Sequence, residues 1–232
     1  MEHTHKNIFL DELSNHIKFT VLAVFLAAVI IVLMRQYIMP SYFQNTGSSE
    51  DLFEGFFISH LFFAALTPAA LFSIYKRNIW LGIGIAIISS SVTCTLSDII
   101  FPYAGGILLS YNMHFHVCII EEPVLAWSFI ISGALLGYFL SQYVRKLSRF
   151  THTAHILLSS LAAGMYLITY GVGFLSLKAL IFLPILIISV LAPCVMNDIG
   201  IPSYIVSILH KNENEKQEIL DEIHAEHHDH HH

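Results

Sequence analysis

Two short stretches of this chain repeat one another and carry its most chemically capable side chains. Cys94-Thr95-Leu96-Ser97-Asp98-Ile99-Ile100-Phe101-Pro102 closes one long apolar segment, and Cys194-Val195-Met196-Asn197-Asp198-Ile199-Gly200-Ile201-Pro202 closes another. Both read C-x-x-x-D-I-x-x-P. At the same offset Ile88-Ser89 meets Ile188-Ser189. One apolar segment earlier, Ser59-His60-Leu61 meets Ala154-His155-Ile156, with Leu66 against Leu161 and Tyr75 against Tyr170. A unit carrying one His, one Cys and one Asp therefore occurs twice.

The chemistry these residues offer is cation binding. A carboxylate inside a membrane is costly and is functional by default. Asp98 and Asp198 fall about one turn before a proline that should end the helix, where the helix field also disfavours an anion. A bound cation offsets both penalties. Cys94 and Cys194 lie one turn before the aspartates and so share a face with them. Thiol and carboxylate together suit a borderline divalent ion such as zinc, iron(II) or cobalt. A buried cysteine alone is most often a small apolar residue, and a lone buried histidine most often bonds a neighbouring helix. The repeated spacing is what raises His60, His155 and the two cysteines above those readings. His152 lies three residues before His155 and can face the same way.

Further candidates follow the first copy of the motif. His114-x-His116 puts both imidazoles on one side of an extended backbone, and Cys118, Glu121 and Glu122 come next. Glu122 directly precedes Pro123 and would stabilise a helix N-terminus; Glu121 has no such duty. For the second half, Glu12 and His16 are the counterparts at the mouth of the first segment. None of this has a standard metal spacing such as H-E-x-x-H. P-loop, dinucleotide and G-x-S-x-G signatures are likewise absent from the sequence.

The elements that must hold these residues are membrane helices. Of 232 residues 55% are hydrophobic and 12% charged, about half the charged share of a soluble domain. The apolar residues lie in runs long enough to cross a bilayer. Six segments are expected, over residues 19–38, 53–75, 79–102, 123–146, 153–175 and 180–202, with 103–118 as a loop or shallow re-entrant piece. Residues 1–16 lack the basic region and cleavage site of a signal peptide. The three cysteines form no disulfide framework, and no basic patch points to nucleic acid. The His-rich end of the chain binds divalent ions loosely, whether native or an appended tag.

Six crossings put both termini on one side. That side receives nine of the eleven Lys and Arg residues, the other only Arg35 and Lys178, so both termini are expected in the cytoplasm. The expected fold is an all-α integral membrane protein of six transmembrane helices in two inverted three-helix repeats: a polar segment 1–16, a first repeat 17–118, a second repeat 119–206 and a charged tail 207–232. Inverted repeats are the plan of many secondary transporters. Depth along these segments predicts two sites in series, an outer one of His60, Cys94 and Asp98 and an inner one of His155, Cys194 and Asp198, or one central site if the helices are broken near Pro68 and Pro193. The outer site gains His114, His116, Glu121 and Glu122, and the inner one His152.

The function expected is a carrier or channel for a divalent transition-metal cation such as iron(II), zinc, manganese or cobalt. Its partners are that cation and the lipid bilayer, and a homo-oligomer is compatible with the chain. Two other functions use the same residues: a membrane-embedded metal-dependent enzyme acting on a lipid, and a proton-coupled carrier of a small solute with the aspartates as proton sites.

Overall fold

Prolines and polar residues, placed inside long apolar runs, decide where the helices bend. The computed structural model describes residues 2–44, 46–73, 79–146, 148–171, 179–201 and 204–205. The basic pair Lys76-Arg77, Lys178, Pro202, the tail from 207 onward and the side chain of Glu12 lie outside the described residues. The helices are α1 (Glu2–Leu33), α2 (Thr46–Phe72), α3 (Ile79–Thr95), α4 (Phe101–Leu108), α5 (Cys118–Glu121), α6 (Pro123–Phe139), α7 (Ser141–Lys146), α8 (Ser148–Tyr170) and α9 (Ala179–Val195), with no strand among the described residues. Among them, four stretches are long and apolar enough to cross a membrane: His16–Ile38, Gly47–Phe72, Ile79–Leu108 and Phe150–Tyr170. Two shorter apolar helices cover Pro123–Phe139 and Phe182–Asp198.

Several helices are inside out relative to a soluble protein. The first turns Leu22, Phe25 and Val29 outward while burying His16 and Thr20. Likewise α3 exposes Trp80, Ile88 and Val92 and buries Ser89, Ser90 and Thr93. Apolar faces of this extent suit contact with lipid, where the polar side chains must find partners inside the bundle.

Among the described residues there are three π-helical turns, at Met34–Ile38, Leu96–Ile100 and Met196–Gly200. In the sequence a proline follows each one at the same distance: Pro40, Pro102 and Pro202. Proline cannot donate to the carbonyl four residues back and its ring collides with it; a π turn widens the helix and relieves that clash. The C-x-x-x-D-I-x-x-P motif is thus a π-turn motif, with Asp98 and Asp198 each at the third residue of the turn.

The turn corrects one expectation. Pro102 does not end the third segment, because the chain continues as α4 to Leu108 and stops there on Ser110 at φ 62°. Asp98 therefore stands within a continuous Ile79–Leu108 span, and no helix-end field acts on it. Residues 101–108 are helical, and only the stretch from Tyr111 to Val117 has no regular structure, where a loop or shallow re-entrant piece is expected over 103–118.

At the centre of the bundle α2 meets α6 and α8. Gly133 and Gly137 let α6 close on α2: a Cβ at Gly133 would stand 2.3 Å from the Phe62 carbonyl oxygen, and one at Gly137 2.2 Å from that of Leu66. The pairing advances in the same direction on both helices, so α2 and α6 run parallel. Against α8 the order reverses. Ser49 pairs with Thr169, Phe53 with Tyr166 and Tyr170, and His60 with His155, so α2 and α8 are antiparallel.

Candidate metal centre

The two copies of the motif converge. His60, near the middle of α2, is 1% exposed and meets both chemical partners of its own half. Its Nδ1 lies 2.5 Å from Asp98 Oδ2, and its Nε2 lies 3.7 Å from Cys94 Sγ. In the second half the same duties are divided. His155 Nε2 lies 3.2 Å from Cys194 Sγ, and His152 Nδ1 lies 3.2 Å from Asp198 Oδ2. Both aspartates, both cysteines and all three histidines are buried.

The halves also touch each other. The His60 and His155 rings meet edge to face with centroids 4.6 Å apart. Ligand atoms of His60, His155 and Cys194 all lie within 4.8 Å of one another. Ser159, one turn after His155, donates its hydroxyl to Asp98 Oδ1 at 2.8 Å, across the boundary between the halves. Thr93 of the first half donates to Asn197 Oδ1 of the second at 3.3 Å.

This contact brings the two expected half-sites together, as in the alternative of one central site. The segment limits account for it. Helix α2 begins at Thr46, seven residues before the expected start, which moves His60 from the outer half to mid-helix. Continuation of the third segment to Leu108 draws Asp98 and Cys94 inward in the same way.

The acids differ in what they can offer an ion. Asp98 is engaged on both oxygens: Oδ2 by His60, Oδ1 by the hydroxyls of Ser97 at 2.5 Å and Ser159 at 2.8 Å. Among the described residues it meets one histidine and two serines, and no lysine or arginine. An ionised Asp98 holds the proton of His60 on Nδ1 and leaves Nε2 as a lone-pair donor facing the thiols, the carboxylate–histidine arrangement common behind metal ligands. Asp198 receives the Asn197 amide on Oδ1 at 3.2 Å, and its other oxygen faces His152. With His152 and His16 it forms a second group whose ligand atoms lie within 4.8 Å of one another. The His16 and His152 rings are edge to face at 4.8 Å.

The remaining candidates lie elsewhere. His116 stands between two carboxylates, Nδ1 2.9 Å from Glu121 and Nε2 3.7 Å from Glu54, and its ring stacks on Tyr170 at 4.9 Å. Glu54 is six residues before His60 on α2, about 9 Å along the helix, so this cluster does not join the metal centre. His114 is exposed and takes part through its backbone, donating to the Tyr170 carbonyl at 2.8 Å. Glu122 is exposed and makes no side-chain cap bond to α6, against the expectation that it would. Cys118 is fully buried; burial, reinforced by Glu54, Glu122 and Glu121, pushes its thiol up to about 12.

Ser159 and Asn197 are the residues that the sequence reading passes over. A signal for Asn197 is present in the motif, since both copies place a polar residue directly before the aspartate. Ser159 follows His155 by four residues, the same-face spacing. Comparison with protein-family models, with curated proteins and with solved structures gives no match.

Proposed function

We propose that the protein is a membrane carrier for a divalent transition-metal ion, built from two inverted three-helix halves that meet at a single buried ion site. The observation that carries this reading is the contact between His60 and His155. They are equivalent positions of the sequence repeat, on antiparallel helices, with a thiol of each half beside them. Equivalent residues touch only where a two-fold axis passes. An axis through the two rings, lying in the plane of the membrane, makes the ion site the pivot of the molecule. Either half can then close over the same ion, which is what alternating access requires. The matched π turns support the duplication, and the parallel course of α2 and α6 supports an odd number of crossings between them, here the Ile79–Leu108 span.

In this reading His60, His155 and Cys194 are the ligands, Cys94 completes or exchanges with them, and Asp98 orients His60. Imidazole with thiolate favours zinc, cobalt or iron(II) over the harder manganese. The ligands release protons on binding metal, so outward and inward proton gradients should alter the rate. The test is flux of zinc or cobalt into vesicles containing the purified protein. Wild type should transport, and His60→Ala or His155→Ala alone should abolish transport, because the site belongs to both halves. Absence of metal-dependent flux from the intact protein would overturn the carrier.

The compactness of the centre favours a second reading, a metal-dependent enzyme with three ligands and an open position. It would bind metal as tightly and transport none, and would turn over a lipid substrate only with metal present.

A further inference from the structure

We infer that His16, His152 and Asp198 form a second metal-binding site, the next station for the same ion on its way between the central site and the face where α1 and α8 begin. This deepens the carrier reading and rests on it.

The argument starts from a break in the repeat. At the offset that pairs His60 with His155, His152 pairs with Phe57. The first half therefore has an aromatic ring where the second has an imidazole, and Asp98 turns to His60 because no second histidine stands beside it. In the second half His155 serves Cys194 and leaves Asp198 to His152. One helical turn separates Asp198 from Cys194, and slightly less separates His152 from His155, so the two ligand sets are about 5 Å apart along the helices. Helix α1 supplies the third ligand, His16, which is 1% exposed and begins the apolar His16–Ile38 span. A buried set of two imidazoles and a carboxylate is a standard donor set for zinc, iron(II) or cobalt.

Two dications this close repel strongly, so the sets are occupied in turn. An ion leaving the thiols needs to exchange ligands over one turn of two helices only. The second set is harder than the first, with oxygen in place of sulfur, so it binds the ion more loosely and favours release. Its position gives the path an asymmetry that a perfect repeat would lack. His60 and His155 meet between α2 and α8, and His152, three residues before His155 on α8, meets His16 of α1 and Asp198, so α8 runs through both stations.

Cobalt separates the stations in the full-length protein, since only the central site gives a thiolate-to-cobalt charge-transfer band. His152→Ala, and His152→Gln as a variant that keeps the volume, should retain this band at wild-type intensity while cobalt flux into vesicles falls at least tenfold. Loss of the band in the glutamine variant, with size-exclusion behaviour unchanged, would mean that the two sets are one site and overturn the proposal. Unchanged flux in both variants would also overturn it. If wild type gives neither band nor flux, the carrier reading itself fails, an outcome distinct from either.

Discussion

His60 and His155 meet edge to face, 4.6 Å between ring centroids, on helices that run in opposite directions. Each is the other's counterpart in the repeat. Around this contact the halves exchange hydrogen bonds, Ser159 to Asp98 and Thr93 to Asn197, so an ion bound between the rings would be held by both. Neither half could keep its polar residues satisfied alone. Ser159 lends a proton to an acid that its own half does not contain, and Asn197 also donates to the Ala64 carbonyl of α2 at 3.0 Å. The polar centre and the cohesion of the halves are therefore one feature.

Asp98→Asn tests the orienting role of the acid. An amide fills the same space but no longer enforces the proton on His60 Nδ1, so the ring can turn the wrong nitrogen towards the thiols. Loss of such a partner typically lowers metal affinity about 10–100-fold. Competition against a chelator should show that drop with the number of ions bound per chain unchanged. An affinity equal to wild type would show that Asp98 does not act through His60.

The cysteines should set which ion is preferred. Cys194 forms one group with both histidines, all ligand atoms within 4.8 Å and its own sulfur 3.2 Å from His155, whereas Cys94 lies 3.7 Å from His60 and outside that group. Cys194→Ser should therefore shift selectivity from zinc and cobalt towards manganese more than Cys94→Ser does, because the hydroxyl is a harder donor. Vesicle flux measured for each ion in both variants gives the ranking. Equal shifts would place the ion midway between the thiols.

How much of this was legible in the sequence follows from what each signal encodes. The motif spacing carried the pairing of Cys with Asp, and the repeat carried the correspondence of His60 with His155. Depth was not legible. It depended on where segments begin, and hydropathy saw the apolar start of the second segment at 53 while the helix begins at Thr46, in a polar stretch that includes Glu50 and Asp51. Proline gave the second error. Pro102 reads as a stop, but a π turn absorbs it and the helix runs on to Leu108. His114 and Glu122 are near the site in sequence only: both are exposed, His114 in the irregular stretch before α5 and Glu122 directly after it. His16 showed only as a residue at the mouth of the first segment, because its partners come from α8 and the turn after α9, over a hundred residues away.

The glycines of α6 make a prediction about stability. Gly133 and Gly137 face carbonyl oxygens of α2 at distances no Cβ tolerates, 2.3 and 2.2 Å. Valine at either position forces the helices apart and should destabilise the fold by about 1–3 kcal/mol. The measure is thermal unfolding in detergent. Gly55→Ala and Gly84→Ala are the controls, since a Cβ there meets nothing within 4 Å and helix propensity gains about 1 kcal/mol. A valine at Gly137 as stable as wild type would show that α2 and α6 do not approach this closely.

Cys118 should report its surroundings through alkylation. It lies outside the membrane-spanning stretches, fully buried against Glu54, Glu121 and Glu122, and its thiol is pushed up to about 12, first by burial and then by those carboxylates. Only the thiolate reacts, and an ordinary cysteine is half ionised near pH 8.5. Far below its own pKa, the thiolate fraction of Cys118 rises tenfold for each pH unit. Iodoacetamide labelling of the native protein, read at Cys118 by peptide mass spectrometry, should be slow at pH 8 and should still be climbing tenfold per unit at pH 10. A rate that levels off near pH 9 would mean that the thiol titrates normally and that the segment from Tyr111 to Glu121 does not enclose it. Substituting Glu54→Gln removes the most influential of the three charges and should move the whole profile to lower pH, raising the rate at pH 9, because one source of upward pressure on the thiol is gone. A fall in that rate would reverse the sign of the electrostatics argued for this corner of the fold.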